Sequence, residues 1–388
     1  MNSHILSNAM IVTPEANFMG SLVIENGIIT EILKGKNLSE GKDLQGLWLS
    51  PGCIDIHSDY LESEIHPRPN ADFPLPLAFH FMDQRAAACG ITTVFSAISF
   101  SDNEQSGRAF KTAVERAEAL DILRKSSLVN HFVHARLDPN SDSVLEYLDR
   151  MKAISSLKLV VYNDSIPGQR QFRFDDLVVK NARHYGISQD EARNRLRYKI
   201  EQLSKINHRP EIQQVLGGTI LLGSHDDTKI EHVDEAYKYG STLSEMPTTL
   251  QAARRARELG MFVCMGAPNY LRGGSHCGNL ACHEAMDENL MDMLCSDYHF
   301  PTMMGAVIKM IVNGISASEA INLVSLNPAK FLGIDQFTGS IEEGKTADLI
   351  CFDASNGFAR MRNVWVNGFE KLIVHAYQDM KEQTAVLG

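Results

Sequence analysis

Short apolar runs alternate with helical stretches through the middle of this 388-residue chain. The clearest of these runs cover residues 91–95, 157–161, 219–223 and 262–266. Repeated β-then-α units are typical of a parallel sheet covered by helices. About 285 residues lie between Cys53 and Phe337, a length that suits a (β/α)8 barrel with insertions. A doubly wound sheet is the alternative, but no G-x-G-x-x-G motif opens the first unit, which disfavours a dinucleotide-binding fold.

Both ends of the chain have a different character from the middle. Residues 21–30 predict a strand, an Asn-Gly turn and a second strand, and residues 339–353 predict a turn followed by an apolar strand. Val364 begins another apolar stretch that stops at an Asn-Gly pair. We therefore predict an α/β fold with a TIM-type barrel over residues 52–337. A small β-sandwich domain would be built from both termini, residues 1–51 plus 338–388.

Composition and charge narrow the range of functions. Lys and Arg number 37 against 48 Asp and Glu, a formal charge of −11, which disfavours nucleic acid and anionic membranes as partners. Residues 1–10 lack a signal-peptide pattern, and no run of 18 apolar residues occurs. The seven cysteines are odd in number and lack C-x-x-C spacing, which favours a reducing compartment. We expect a cytoplasmic protein, and a homo-oligomer is compatible with the sequence.

Polar side chains follow five of the candidate strands. The residues at these strand ends are His57 with Asp59, Asp164, His225, Glu245 and Asp297. In a parallel barrel all such ends lie on one face. A single residue of this kind is usually the N-cap of the next helix. Together, however, they would gather carboxylates that repel one another, and divalent cations neutralise such a group. The mixture of imidazole and carboxylate therefore predicts a metal site.

Three arginines lie in loops that are rich in glycine or proline. They are Arg68 in His-Pro-Arg-Pro, Arg170 in Pro-Gly-Gln-Arg-Gln and Arg272 in Leu-Arg-Gly-Gly-Ser-His. Glycine lets backbone N–H groups approach a phosphate, and a guanidinium can bind it bidentately. One such arginine is more often a surface or salt-bridging group. Three in an acidic chain predict a phosphorylated small-molecule substrate, with Gln169 and His276 of the same motifs as further contacts.

Two weaker patterns stay open at this point. His131 and His134 are three residues apart and would face opposite sides of a strand, so they are a poor ligand pair. His134 alone could approach the site, although a core or surface role fits either histidine equally well. Asp83 begins an Ala-rich stretch, and it is either a weak candidate for the site or only the N-cap of that helix.

Motifs spread over essentially the whole chain resemble those of the amidohydrolase superfamily. They include Pro-Gly-Cys-Ile-Asp-Ile-His-Ser-Asp at residues 51–59, Asn-Pro-Ala-Lys at 327–330 and Gly-Lys-Thr-Ala-Asp-Leu at 344–349. A second set is similar to the diphosphatases of phosphonate catabolism within that superfamily. This set includes Pro-Gly-Gln-Arg-Gln-Phe at 167–172, Ser-His-Asp-Asp-Thr at 224–228, Ser-Glu-Met-Pro-Thr-Thr at 244–249 and Arg-Gly-Gly-Ser-His at 272–276.

The resemblance implies a metal-dependent (β/α)8 hydrolase that uses one or two divalent ions, such as Zn or Mn. The metal ligands that it implies are His57, Asp59 and His225, with Glu245 and Asp164 as further ligands. It makes Asp297 the general base that activates a water. The implied reaction releases diphosphate from a ribose 5-triphosphate that carries a phosphonate ester. Ser165 and Met82 stand where that group carries histidine, which leaves the number of ions and the substrate open.

Three functions therefore compete. The basic loops favour hydrolysis of a phosphoanhydride. The superfamily also contains C–N hydrolases, such as deacetylases and cyclic amidases, and one of these on an anionic substrate is the second option. A non-catalytic scaffold is the third, and its expected mark would be loss of His57, His225 or Asp297. All three residues are present.

Overall fold

A computed structural model describes residues 3–68, 71–102, 108–164, 166–170 and 173–375 of the chain. The strands, in chain order, are β1 Ser3–Val12, β2 Asn17–Glu25, β3 Ile28–Lys34, β4 Lys42–Asp43, β5 Trp48–Pro51, β6 Cys53–Ser58, β7 Ile91–Phe100, β8 Asn130–Leu137, β9 Leu157–Tyr162, β10 Leu221–His225, β11 Ser241–Glu245, β12 Phe262–Gly266, β13 Met293–Cys295, β14 Leu349–Asp353, β15 Arg360–Val366 and β16 Phe369–Ile373. The helices are α1 Tyr60–Ile65, α2 Leu75–Ala88, α3 Phe110–Leu123, α4 Val144–Ala153, α5 Phe174–Tyr185, α6 Gln189–Leu203, α7 Arg209–Leu216, α8 Ile230–Lys238, α9 Leu250–Glu258, α10 Ala267–Arg272, α11 Cys282–Asp287, α12 Thr302–Val312, α13 Ala317–Asn322 and α14 Leu326–Leu332.

The two ends of the chain share one sheet. Its strand order is β16-β15-β14-β5-β1-β2-β3, with β4 paired to β1. The antiparallel pairing of β5 with β14 places Pro51 opposite Leu349 and so joins the N-terminal strands to the C-terminal ones. The expected turn between β2 and β3 is present, and both Asn26 and Gly27 have a positive φ, as a two-residue hairpin turn of type I′ requires.

The strands of the two termini form one continuous sheet. The sequence predicts a β-sandwich for the same residues. A break in register between Leu6 and Ala9 bends β1, and Asn8 has φ +54° at that point. The two halves of β1 can therefore pair with different strands, β4 on one side of the bend and β5 on the other. The bent sheet encloses its own apolar core, which includes Leu6, Ile11, Leu22, Ile24, Leu49, Leu349 and Trp365.

The middle of the chain forms the predicted parallel sheet, in the order β6 to β13. All ten residues of β7 and all six of β6 are buried, as expected for strands that are covered on both faces. The two edges approach each other, because an isolated parallel bridge joins Ser58 to Asp297. The Asp297 N–H donates to the His57 carbonyl at 3.0 Å, and the Asp59 N–H donates to the Asp297 carbonyl at 2.7 Å. The carboxyl ends of the first and last strands therefore meet.

A long insertion between β9 and β10 carries α5, α6 and α7. The helices α5 and α6, called the α5–α6 hairpin below, pack on a small apolar core of their own that includes Val178, Ala182, Ala192 and Leu196. Gly186 ends α5 with φ +63°, and the Ser188 side chain caps α6 by accepting a hydrogen bond from the Glu191 N–H. The hairpin is thus a distinct, locally stabilised unit beside the sheet.

Asp83 lies inside α2 and not at its start, so the predicted N-cap was wrong. The helix begins earlier because Pro74 and Pro76 favour its first turn. The Asp83 carboxylate accepts hydrogen bonds from the N–H groups of Leu128 and Val129 and contacts Nε2 of His131 at 2.9 Å. Asp83 and His131 therefore tie α2 to the start of β8.

Among the described residues, no helix has both the length and the apolar character that a membrane span requires. All seven cysteines are free thiols.

Candidate active site

The carboxyl ends of the parallel strands position a cluster of imidazole and carboxylate groups. His57 is the second-last residue of β6, His134 lies on β8, His225 ends β10 and Glu245 ends β11. Because alternate residues of a strand face the same side, these residues can point toward the centre while their neighbours pack outward. Asp297 follows β13 and is held at the cluster by its backbone bridge to β6.

Glu245 is the centre of this cluster and is fully buried. Its Oε2 atom lies 2.8 Å from Nδ1 of His225, 2.9 Å from Nδ1 of His57 and 3.8 Å from Nε2 of His134. Burial alone would raise the pKa of Glu245, but the surrounding imidazoles, led by His57 and His134, hold it well below its usual value. Glu245 is therefore a carboxylate, able to act as an anionic ligand.

Four buried polar atoms in the cluster have no hydrogen-bond partner among the described residues. They are both ring nitrogens of His57, Nε2 of His134 and Oε1 of Glu245. An unpaired buried polar atom is costly, so a group of them in one place calls for an explanation. Two sets of three residues each bring their ligand atoms within 4.8 Å of one another, and His57 belongs to both. The first set is His57, His134 and Glu245, and the second is His57, Asp59 and Asp297. This donor set fits a divalent metal ion.

His134 is oriented as metal-binding histidines usually are. Its Nδ1–H donates to the Ile56 carbonyl at 2.9 Å, which leaves the lone pair of Nε2 pointing into the cluster. Burial lowers the pKa of His134 to about 4, so the ring is neutral near pH 7. The sequence alone does not distinguish a site role from a core role for His134, and the structure places it with His57 and Glu245.

Asp59 is paired with Arg136, a residue that the sequence analysis missed. Nη1 of Arg136 lies 3.0 and 3.2 Å from the two carboxylate oxygens of Asp59. Burial would raise the pKa of Asp59, but the Arg136 charge outweighs it and holds the pKa well below its usual value. The spacing His134-x-Arg136 on β8 was an available signal, since it places both side chains on one face of the strand.

Asp297 has φ +56°, as does Asp226 after β10, and Met246 after β11 has φ +53°. Left-handed backbone at non-glycine residues is uncommon and clusters at functional sites. Burial raises the pKa of Asp297, and the nearby imidazoles of His57 and His225 oppose that effect. Ser296, just before it, is fixed because its N–H and Oγ–H both donate to Asp55.

Asp164 and Arg170 lie beside the cluster in a buried ion-pair network. Oδ2 of Asp164 accepts from Arg170 at 2.6 Å and from Arg209 of α7 at 2.7 Å. Arg170 also donates to Asp227 at 2.7 Å and to the His225 carbonyl at 2.9 Å. Asp164 therefore belongs to neither ligand set. The guanidinium group of Arg170 is already paired with protein groups and is not left free to bind an anion. These contacts argue against the ligand role predicted for Asp164 and the anion-binding role predicted for Arg170.

The remaining predicted substrate residues are spread over different surroundings. Arg272 and His276 line a cavity, called the Arg272 cavity, together with Asp226, Asp297 and Tyr298. Gln169 is half-buried in the loop that precedes α5, and Ser165 of the same loop lies outside the described residues. Arg68 is exposed just after α1. It lines neither the Arg272 cavity nor a second cavity that lies beside the α5–α6 hairpin. The structure thus groups Arg272 and His276 with Asp297, and it does not bring Arg68 to them.

A parallel β/α sheet with an imidazole–carboxylate cluster at the carboxyl ends of its strands is the arrangement of TIM-barrel enzymes that use divalent metals. The comparisons with known proteins give the family. The amidohydrolase family profile matches residues 203–378. The chain is 33% identical over 377 residues to the alpha-D-ribose 1-methylphosphonate 5-triphosphate diphosphatase of Escherichia coli K12. The aligned region covers 94% of this chain and 99% of that protein. The chain therefore belongs to the amidohydrolase family and is a hydrolase.

Other relatives act on different substrates. The N-acetylglucosamine-6-phosphate deacetylase of Haemophilus influenzae is 30% identical over 146 residues, which is 36% of this chain and 33% of that protein. The crystal structure of the deacetylase of the same name from Pasteurella multocida matches with a TM-score of 0.61 at 15% identity, and covers 95% of this chain and 99% of that one. This structural similarity supports the fold.

Proposed function

We propose that the protein is a metal-dependent diphosphatase that releases diphosphate from a ribose 5-triphosphate carrying a phosphonate ester, in the catabolism of phosphonates. The observation that carries the proposal is the similarity to the Escherichia coli diphosphatase, which extends over nearly the whole of both chains. The substrate would be a phosphorylated small molecule, and the free cysteines fit a cytoplasmic location. The same proposal takes the parallel sheet as a closed (β/α)8 barrel over residues 52–337, with the terminal sheet as a second domain.

The metal would be held by the two ligand sets that share His57, with His225 fixed beside them through Glu245. A divalent ion there would supply Lewis-acid chemistry and make a water acidic enough to react near neutral pH. Asp297 would accept the proton of that water, because it lies at the cluster and lines the Arg272 cavity. Arg136 would keep Asp59 ionised and oriented.

Arg272 and His276 would bind phosphate oxygens on the side of the site where Asp297 lies. A guanidinium stabilises the charge that develops on the transferred phosphoryl group. Such electrostatic stabilisation, together with positioning of the substrate, supplies much of the rate enhancement in phosphoryl transfer. The loop at Gly273 and Gly274 has no side chains that would block the approach of an anion.

The second candidate is a C–N hydrolase, and the deacetylase relatives favour it. One experiment separates the two. The purified protein, loaded with Zn or Mn, is assayed for diphosphate release from ribose triphosphates and, in parallel, for deacetylation of N-acetylglucosamine 6-phosphate. We expect diphosphate release that chelators abolish. Metal-dependent deacetylation without diphosphate release would replace the proposal with the second candidate.

A further inference from the structure

Two cavities lie on either side of Asp226. The Arg272 cavity contains Asp297, and the other cavity, called the hairpin cavity, lies between the cluster and the α5–α6 hairpin. Arg136 and Asp226 line the hairpin cavity at the cluster end, and Asn181 and Lys199 line it from the two hairpin helices. The hairpin cavity therefore lies across Asp226 from the proposed base.

The hairpin helices contribute one charged side chain to the lining of this cavity, the cation Lys199. Lys199 is exposed on α6, and within the part of the chain that the structure describes no carboxylate lies at ion-pair distance from it. The charge of Asp164, which also lines the cavity, is already matched by Arg170 and Arg209. Together with the amides of Asn163 and Asn181, Lys199 forms a surface suited to an anion that extends away from the cluster.

The ion pairs give this cavity a fixed floor. Arg170 and Arg209 share one oxygen of Asp164, and both guanidinium groups are buried. Gly168 is needed in the adjoining loop because its φ is +75° and a Cβ there would lie 2.8 Å from Cβ of Phe174. A preformed floor of this kind lowers the ordering cost of binding a ligand.

The spatial line of attack in phosphoryl transfer indicates which group the hairpin cavity would hold. In phosphoryl transfer the attacking and leaving oxygens lie roughly in line on opposite sides of the phosphorus. If a water attacks from the Asp297 side, the leaving group departs toward the far side of Asp226. We propose that the hairpin cavity binds the leaving diphosphate, with Lys199 as its charged contact at the outer end. In this step the water oxygen bonds to phosphorus and the bridging P–O bond breaks. Diphosphate leaves with the electron pair, and the water proton passes to Asp297.

This proposal rests on the proposed function, but it can be tested without catalysis. Binding of inorganic diphosphate to the metal-loaded full chain is measured by calorimetry for the wild type and for Lys199→Ala, Lys199→Arg and Lys205→Ala. Lys205 is the matched control, since it is an exposed lysine just after α6 that pairs with Glu201 at 3.1 Å. We expect the dissociation constant to rise about tenfold in Lys199→Ala, as for loss of one charge-assisted contact. It should stay near the wild-type value in Lys199→Arg and Lys205→Ala.

The outcomes separate this proposal from the proposed function. If the wild type cleaves a ribose triphosphate but Lys199→Ala binds diphosphate as tightly as the wild type, the cavity assignment is wrong and the diphosphatase stands. The assignment is also wrong if Arg272→Ala alone abolishes diphosphate binding, because the anion then occupies the Arg272 cavity. If diphosphate binds through Lys199 but no triphosphate is cleaved, the anion site stands and the diphosphatase fails.

Discussion

Nδ1 of His57 lies 2.9 Å from Oε2 of Glu245, yet neither ring nitrogen of His57 has a hydrogen-bond partner among the described residues. The two groups approach each other without the alignment that a hydrogen bond needs. Ligands of one ion are held in this way, because their lone pairs point at a shared point and not at each other.

Glu245→Gln should reduce the metal content of the purified protein. The amide has nearly the same size but lacks the negative charge that binds a cation among three imidazoles. We expect metal affinity to fall by at least about tenfold, the effect that loss of even an outer partner of a ligand produces. Elemental analysis after dialysis, with the exposed Glu146→Gln as control, measures it. Full metal occupancy in Glu245→Gln would remove Glu245 from the ligand set.

Asp297→Asn should lower kcat by about 10²–10⁴-fold, the usual loss when a general base is removed. Asparagine tolerates the left-handed backbone of this position, where φ is +56°, so the fold should survive. Asn is also as good a helix N-cap as Asp. A steady-state assay on metal-loaded protein therefore distinguishes the two roles, and a near-normal kcat would leave Asp297 with a structural role.

The sequence predicted the parts of the site that depend on strand periodicity. Residues at the ends of parallel strands must lie on one face, so the meeting of His57, Asp59, Glu245 and Asp297 follows from their positions alone. Their roles as ligands and base stay predictions.

Contacts of long side chains could not be predicted in the same way. Arg170 lies in a glycine-containing loop typical of anion sites, but its partner Asp164 is shared with Arg209, which an insertion brings in from 45 residues away. No local pattern encodes that pairing. The N-cap role of Asp83 was wrong for a related reason, because the proline-containing start of α2 lies well before that residue.

Arg136→Met should destabilise the metal-free protein by about 1–3 kcal/mol. The methionine fills similar space but leaves the carboxylate of Asp59, which is 28% exposed, without its cationic partner. Urea unfolding in the presence of a chelator measures the change. Arg136→Lys should recover part of the loss, since it restores the charge without the planar fork. If the methionine variant is as stable as the wild type, the pair contributes nothing measurable to folding.

Asp348 should make the stability of the protein depend on pH. The residue lies far from the cluster in sequence, just before β14, and its carboxylate accepts from the Asn367 N–H at 2.7 Å and from the Thr338 hydroxyl at 2.8 Å. Burial raises its pKa, and these two hydrogen bonds only partly oppose that effect. The folded state therefore holds the proton more tightly than the unfolded chain, in which an aspartate has a pKa of about 3.9.

The sign follows from that difference. The stability associated with protonated Asp348 is fully present below the unfolded pKa, and it is lost as the pH rises through the raised folded pKa. Asp348→Asn cannot ionise, and its amide group can still accept one hydrogen bond and donate another to the Thr338 oxygen. The free energy of unfolding of the variant, minus that of the wild type, should therefore increase as the pH rises above about 4, and it should level off once the pH exceeds the raised folded pKa of Asp348. Urea unfolding at a series of pH values measures this difference, with the exposed Asp149→Asn as control. A difference that stays constant, or that decreases as the pH rises, would mean that burial does not disfavour the Asp348 carboxylate.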